Sequence, residues 1–201
     1  WLPIGSMEDL NAATLEDVQE WFRTYYGAAN VVLVLAGDID LATAREKAQK
    51  YFGHIPPGPG LDRPGTWVAA RTESTREIMH DQVAQTRLHR FWNTAPDGSL
   101  DAERLSIVGQ ILGGGKTSRL YERLVYREQI ADTASAGLSG FEIAGLFGIT
   151  ADVKTGVPPS RVEAAIDEEL KRFVAKGPTE AELARARTSI RAGFVKGLER
   201  I

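Results

Sequence analysis

Apolar positions along the chain change their period several times, and each change marks an element. Leu15, Val18, Trp21, Phe22 and Tyr25 recur at helical spacing and form one stripe. Thr14 precedes that stripe with Asp17 three residues on, the arrangement of a capping box, and Gly27 ends it. Residues 31–36 then form a continuous apolar run of strand length closed by Gly37, which predicts a strand buried on both faces. Asp40 caps a helix over 41–52, stopped by Gly53. Ahead of all this, Pro3 pushes Leu2 out of the helical region, so the chain is expected to begin extended.

The pattern breaks at 54–65, where Pro56, Pro57, Gly58, Pro59, Gly60, Pro64 and Gly65 crowd together. Such a stretch marks a boundary between units. The reading is a first unit at 1–55, a Pro/Gly-rich linker at 56–74 and a second unit at 75–201. The second unit opens with two strand-like runs, 75–81 and 84–96; in the latter Thr86, Leu88, Arg90 and Trp92 alternate with Arg87, His89, Phe91 and Asn93. Leu105, Val108, Ile111 and Leu112 mark a helix over 101–112, ended by Gly113, Gly114 and Gly115. Thr117 or Ser118 caps a second helix over 118–128, with Leu120, Leu124 and Val125 toward the core. Residues 130–140 and 141–153 read as a strand pair turning near Ser139 and Gly140. Pro158, Pro159 and Ser160 open a long helix with Val162, Ala165, Ile166, Leu170, Phe173 and Val174 on one side, stopped by Gly177 and Pro178. Thr179 and Glu182 form a capping box for a last helix. The order strand, strand, helix, helix, strand, strand, helix, helix predicts an α+β fold: a layered, mostly antiparallel sheet with helices on one face.

Composition narrows the chemistry. In 201 residues, 43% are hydrophobic and 25% charged, as in ordinary globular domains. A net charge of -3 without clustered Lys and Arg argues against nucleic acid, and no apolar run approaches the roughly 20 residues of a membrane span. The absence of cysteine removes disulfides and thiolate metal sites. The three histidines, His54, His80 and His89, lack the helical spacing of a zinc motif. Asp38 and Asp40, at the end of an apolar run, are turn and cap residues rather than metal ligands. No serine lies in a G-x-S-x-G context. The glycines before Lys116 and Thr117 suggest a phosphate loop, but its first glycine would have to stand at Gln110, and a helical rather than a strand pattern precedes it. On the residues alone, catalytic residues: none; metal ligands: none.

Two stretches carry a resemblance. Residues 4–40 include Phe22, Tyr26, Asn30, Leu33, Gly37 and Asp38 in the spacing F-x-x-x-Y, then N-x-x-L-x-x-x-G-D. Residues 111–131 include Leu112, Gly113, Gly114, Gly115, Ser118, Arg119 and Leu120, matching L-G-G-G-x-x-S-R-L. In this order, on either side of a proline-rich linker, they resemble the insulinase/pitrilysin-type zinc metallopeptidase family, most of all its bacterial members akin to mitochondrial processing peptidase. The resemblance implies two homologous α+β halves facing each other across a chamber. Zinc sits in the N-terminal half, on a His-x-x-Glu-His helix and a later Glu, and the motif's Glu is the general base for water attack on a peptide bond. None of these ligands is in the present sequence. Zinc is therefore expected in the parent protein and not in this chain, which begins at Trp1 and ends at Ile201 like a piece excised from something longer.

The resemblance also implies, as in many active members, an Arg and, seven residues on, a Tyr in the second half that hold the substrate carbonyl and stabilise the oxyanion. Here those positions fall on Val125 and Asp132, or with a one-residue shift on Tyr126 and Thr133, and neither pair matches. The resemblance then implies a fragment inactive by itself that supplies chamber wall and substrate groove. Its expected partners are a peptide substrate, the missing N-terminal half and a homologous partner chain carrying Arg/Tyr in a heterodimer. The alternative is an inactive assembly subunit like the core proteins of respiratory complexes. A periplasmic or membrane-associated parent is the family expectation. Because chamber proteases bind substrate as an added strand, the peptide contact is placed on Ala131, Thr133, Ser135 and Gly137.

Overall fold

The structure is a computed structural model that describes residues 5–199. It divides into two compact units, Trp1–Pro64 and Gly65–Ile201. The expected extended start at Leu2 and Pro3 lies outside the described residues.

In the first unit, Ser6 caps a short helix, α1 (Met7–Ala12), that the apolar pattern did not mark. Its hydroxyl accepts from Asp9 N at 3.0 Å. Helix α2 (Leu15–Tyr25) follows with the Thr14–Asp17 capping box in place: Thr14 N donates to Asp17 Oδ2 at 2.8 Å and Asp17 N to Thr14 Oγ1 at 3.2 Å. After a single 3-10 turn at Ala28–Asn30, residues 31–36 run extended but unpaired. This corrects the expected buried strand. Val32 is 87% and Val34 79% exposed, because no described strand lies beside them to take their backbone groups. Asp40 caps α3 (Leu41–Phe52) by accepting from Thr43 N at 2.9 Å. The α2 stripe is likewise uncovered, with Leu15, Trp21 and Phe22 more than half exposed.

The second unit holds the core. Residues 75–81 form no strand, and Ile78 and Met79 face solvent, so this expectation too is corrected. The elements are β1 (Arg87–Thr94), α4 (Leu100–Gly113), a π-helix (Tyr121–Arg127), β2 (Ala131–Gly140), β3 (Gly145–Val153), α5 (Pro159–Lys176) and α6 (Glu180–Leu198). The sheet order is β1-β3-β2, antiparallel throughout. One sheet face, with Ala134 of β2 and Phe147, Ile149, Ala151 and Val153 of β3, is buried with Leu112, Leu120, Leu124, Val162 and Ile166 from the helical segments. The fold is α+β, and the helices that pack on the sheet cover this face.

Three local differences from the sequence reading have clear causes. The β2–β3 turn spans 141–144, not 139–140: Gly140 pairs with Gly145, and Phe141 N donates to Ala144 O at 3.0 Å. Val174 is exposed, because twelve residues after Val162 it has rotated about 120° off the α5 stripe. Ser118 does not cap through an accepting hydroxyl; it donates to Gly115 O at 2.6 Å and closes the glycine loop from within.

The glycines of that loop have separate reasons. A Cβ on Gly113 would collide with Ala136 N of β2, and one on Gly109 would stand 2.9 Å from Gly137 Cα. One turn apart, the two residues let the α4 backbone lie directly on β2. Gly115, at φ +106, takes a conformation that side chains disfavour and turns the chain away.

Candidate substrate-binding surface

The other face of the sheet is open, and strand register arranges it in rows. Arg87, Asp152 and Thr133 lie side by side across β1, β3 and β2; next come His89, Thr150 and Ser135, then Phe91, Gly148 and Gly137. In the first row Arg87 Nε donates to Asp152 Oδ1 at 2.6 Å and Thr133 Oγ1 to Asp152 Oδ2 at 2.7 Å. Hydrogen bonds from Arg87, then from Thr133, hold the Asp152 carboxyl below its ordinary value. In the second row His89 Nδ1 lies 3.1 Å from Thr150 Oγ1, and its ring stacks on Phe91 at 5.7 Å. In the third row the Phe91 ring occupies the space over Gly148, where a Cβ would meet Phe91 Cε1 at 2.9 Å. Gly137 beside it has nothing within 4 Å of its Cβ direction, so backbone is bare at this point.

Strand β2 is, with β1, one of the two outer strands of the sheet among the described residues. Its hydrogen-bond parity follows from two contacts. Phe141 N bonds to Ala144 O across the turn, and Val153 N bonds to Thr86 O on the β1 side. Alternation then turns the backbone groups of Thr133, Ser135 and Gly137 toward β3 and those of Ala134, Ala136 and Leu138 away from it, where the helical layer buries Ala134 and brings Gly113 of α4 against Ala136 N.

The four residues expected to touch peptide thus part company. Thr133, Ser135 and Gly137 line the open face, whereas Ala131, displaced by the bulge at Asp132, is 2% exposed in the core. Sequence reasoning did not name Ala134, Ala136 and Leu138, whose edge groups only the pairing reveals. The Arg/Tyr positions are occupied differently. Val125 is partly buried in the π-helix, Asp132 accepts from Gln85 Nε2 at 3.3 Å, and Tyr126 is exposed.

Behind the sheet lies a charged hub of which the sequence showed only pieces. Glu169 is fully buried within the apolar stripe of α5 and is paired with Arg172 and, at 3.7 Å, with Arg119. Arg119 donates to both Glu182 carboxylate oxygens, at 2.6 and 2.7 Å, and to Gly177 O at 3.0 Å, over the Phe173 ring. That fork holds Glu182 down at about 2. Arg123 pairs with Glu128 at 2.7 Å and Glu168 at 2.5 Å. Beside these pairs is a cavity of about 700 Å³ lined by Arg119, Arg123 and Arg127, each already matched to a carboxylate. It ties the π-helix to α5 and α6.

The residues do not fit a zinc site. His54 follows α3, His80 precedes β1 and His89 is engaged with Thr150 and Phe91. Among the described residues no three potential ligands converge. No chemical step is therefore drawn through a metal held by this chain. Among the described residues no helix is long and apolar enough to cross a membrane.

With this geometry in place, comparison with known proteins decides the family. The family model described as the peptidase M16 inactive domain matches residues 12–190. The chain belongs to that family. It is an insulinase/pitrilysin-type domain of the inactive class. Zinc protease PqqE of Helicobacter pylori is 24% identical over 205 residues, covering 99% of this chain and 46% of that protein. An uncharacterized zinc protease of Streptomyces coelicolor is 27% identical over 213 residues, covering 98% of this chain and 44% of that protein. The crystal structure of a peptidase M16 inactive domain from Pseudomonas fluorescens superposes with a TM-score of 0.81 at 22% identity, covering 93% of this chain and 45% of that one. The M16 chain thus spans less than half the length of these relatives.

Proposed function

We propose that this chain is a non-catalytic portion of a zinc metalloendopeptidase. Its first unit is the tail of a zinc-bearing half and its second unit an inactive half that presents the peptide-contacting surface. The observation that carries the reading is the outer position of β2, whose backbone groups at Leu138, beyond the part covered by the helices, adjoin an open, backbone-bare sheet face. Unpaired strand edges bind extended peptide by adding a strand. The uncovered apolar stripe of α2 and the unpaired run 31–36 support the assignment of the first unit, since such surfaces require covering by further chain. Zinc, the attacking water and its general base belong in this reading to the zinc-bearing half, and an Arg/Tyr pair to a homologous partner chain.

The test compares two proteins. The purified chain, washed with mild chelator, should hold near-zero zinc by elemental analysis and should not cleave a quenched fluorescent casein. The protein encoded by the whole reading frame, with its partner chain, should cleave it, and chelation should abolish the activity. Tightly held zinc or turnover in the isolated chain would sink the assignment of roles. A whole protein without His-x-x-Glu-His would replace it with an assembly subunit.

A further inference from the structure

The second unit keeps an apolar groove between α4 and α6. A cavity of about 510 Å³ lies between these helices, with Gly137 and Leu138 of β2 at its floor. Ile107, Leu138 and Ile190 give it an apolar lining, and the exposed side chains of Glu103, Arg187 and Arg191 stand at its rim. The lining runs on along both helices. Phe194 and Leu198 lie one and two turns beyond Ile190 on the same side of α6, and Leu100 lies two turns before Ile107 on α4. Leu100 is 65% exposed, and Phe194 and Leu198 are 68% exposed each. Of the 19 residues of α6 only Ala186 is buried. A helix in a folded protein draws most of its stability from packing an apolar face, and the far half of α6 has such a face without a cover.

We propose that this groove seats an amphipathic helix from the remaining polypeptide of the parent protein, its apolar side on Ile107, Ile190 and Phe194 and its carboxylates toward Arg187 and Arg191. The inference rests on the reading of this chain as a portion of a longer protein and adds what covers the second unit. Strand addition is closed off here, because the α4 backbone lies on β2 at Gly109 and Gly113, over Gly137 and Ala136. A segment that enters an apolar groove with no strand edge to pair with has to satisfy its own backbone groups, and a helix does so. Its charge follows from the rim, which offers two guanidinium groups on the α6 side against one carboxylate, Glu103, on the α4 side. Its source follows from length. The matched part is 46% of the Helicobacter pylori relative and 44% of the Streptomyces coelicolor one, so more than half of such a polypeptide is left to supply the helix. A second copy is a poorer match. The exposed apolar helix it offers is α2, whose Glu16 and Glu20 stand about 100° or more around the helix from the nearest residue of its stripe. Asp17, nearer the stripe, is engaged by Thr14.

Hydrogen exchange followed by mass spectrometry, on the 201-residue chain and on the protein encoded by the whole reading frame, tests this. Amides from Ile190 to Leu198 should exchange at least about tenfold more slowly in the whole protein, whereas those of β3 should be protected alike in both. Phe194→Asp in the whole protein should return the α6 amides to the rate of the 201-residue chain. Phe194 is exposed in that chain, so the substitution leaves the fold of the second unit intact, and unchanged β3 protection checks this. The double variant R187E/R191E should raise exchange over the same stretch about fivefold at low ionic strength, as expected for two partly exposed ion pairs. R185E, on the same helix but lining a different groove, should not. The reading frame outside these 201 residues should hold a helical run with apolar residues at i, i+4 and i+7 and Asp or Glu beside them. Equal exchange of α6 in the two proteins, or a reading frame without such a run, overturns the inference. Indifference to R187E/R191E overturns the carboxylate contact. A 201-residue chain that dimerises in sedimentation and protects α6 as well as the whole protein does would place a second copy in the groove and overturn the occupant. The peptidase reading fails separately: a whole protein without His-x-x-Glu-His that still protects α6 ends that reading and leaves this one standing, and a casein-cleaving protein with α6 unprotected does the reverse.

Discussion

Single residues account for much of what looked like a sequence signature. The L-G-G-G-x-x-S-R-L stretch is a packing device. Gly113 admits the β2 backbone, Gly115 makes the left-handed turn, Ser118 closes the loop and Arg119 clamps α5 to α6. Gly113→Ala forces a methyl into Ala136 N, so it should destabilise the second unit by about 3 kcal/mol or more, beyond ordinary overpacking. Gly109→Ala, whose methyl would stand 2.9 Å from Gly137 Cα and needs a smaller shift, should cost about 1–3 kcal/mol. Urea unfolding followed by tryptophan fluorescence measures both, and equal midpoints for Gly113→Ala and wild type would refute the packing account. Glu182 gives a pH prediction. The Arg119 fork lowers its carboxyl from 4.5 to about 2. A lowered carboxylate stabilises the fold above its unfolded pKa and loses that contribution as pH falls through its folded one. The stability specific to Glu182 should therefore be complete above about pH 5 and decline toward pH 2. In Glu182→Gln the fall in Tm across that window should be shallower, and Tm at neutral pH should be lower than wild type by a few degrees, since a capping box and a charged hydrogen bond are weakened together.

At the scale of elements, local signals were read well wherever they are satisfied locally. The capping boxes Thr14–Asp17 and Thr179–Glu182 and the Asp40 cap all appear with the anticipated donors and acceptors. The π-helix was legible only as a helix. Its wider turn shows in the Glu128 N to Arg123 O bond at 2.9 Å, five residues apart. Two ion pairs of the same separation, Arg123–Glu128 and Glu122–Arg127, staple it. Arg123→Met removes one staple and the bond to Glu168, and should lower stability by about 1–2 kcal/mol. Hydrogen exchange at the amide of Glu128 should rise selectively; unchanged protection there would show that the backbone holds the π form unaided. The strand runs 31–36 and 75–81 failed for one reason. A strand's hydrogen bonds are made by its neighbours, and an apolar run carries no information on whether a neighbour exists.

For the molecule as a whole, burial is concentrated in the second unit. None of the residues named as its hydrophobic core belongs to the first. A chain beginning at Gly65 should accordingly fold alone and unfold cooperatively within about 3 °C of the second unit in the whole chain. Scanning calorimetry of the two checks it, and a molten 65–201 fragment would show that the first unit contributes to that core. The whole chain should also bind a dye such as ANS through the exposed Trp21, Phe22 and Val32 region, and the fragment much less.

The sequence by itself determined the longer helices, the Thr14, Asp40 and Thr179 caps, the order of the elements that formed after the linker, and the family. These rest on period, turn chemistry and spacing, which act between residues a few positions apart. Tertiary structure decided which apolar runs find partners, that Ala131 goes inward while Thr133 faces out, and where α4 covers the β2 backbone. It also decided that Arg119, Glu169, Arg172 and Glu182 meet in one hub. A one-residue bulge at Asp132 inverts side-chain facing along a strand, and pairing across 20 or more residues depends on where each helix lays its neighbour down. Such long-range geometry is a property of the packed molecule, and period and spacing do not encode it.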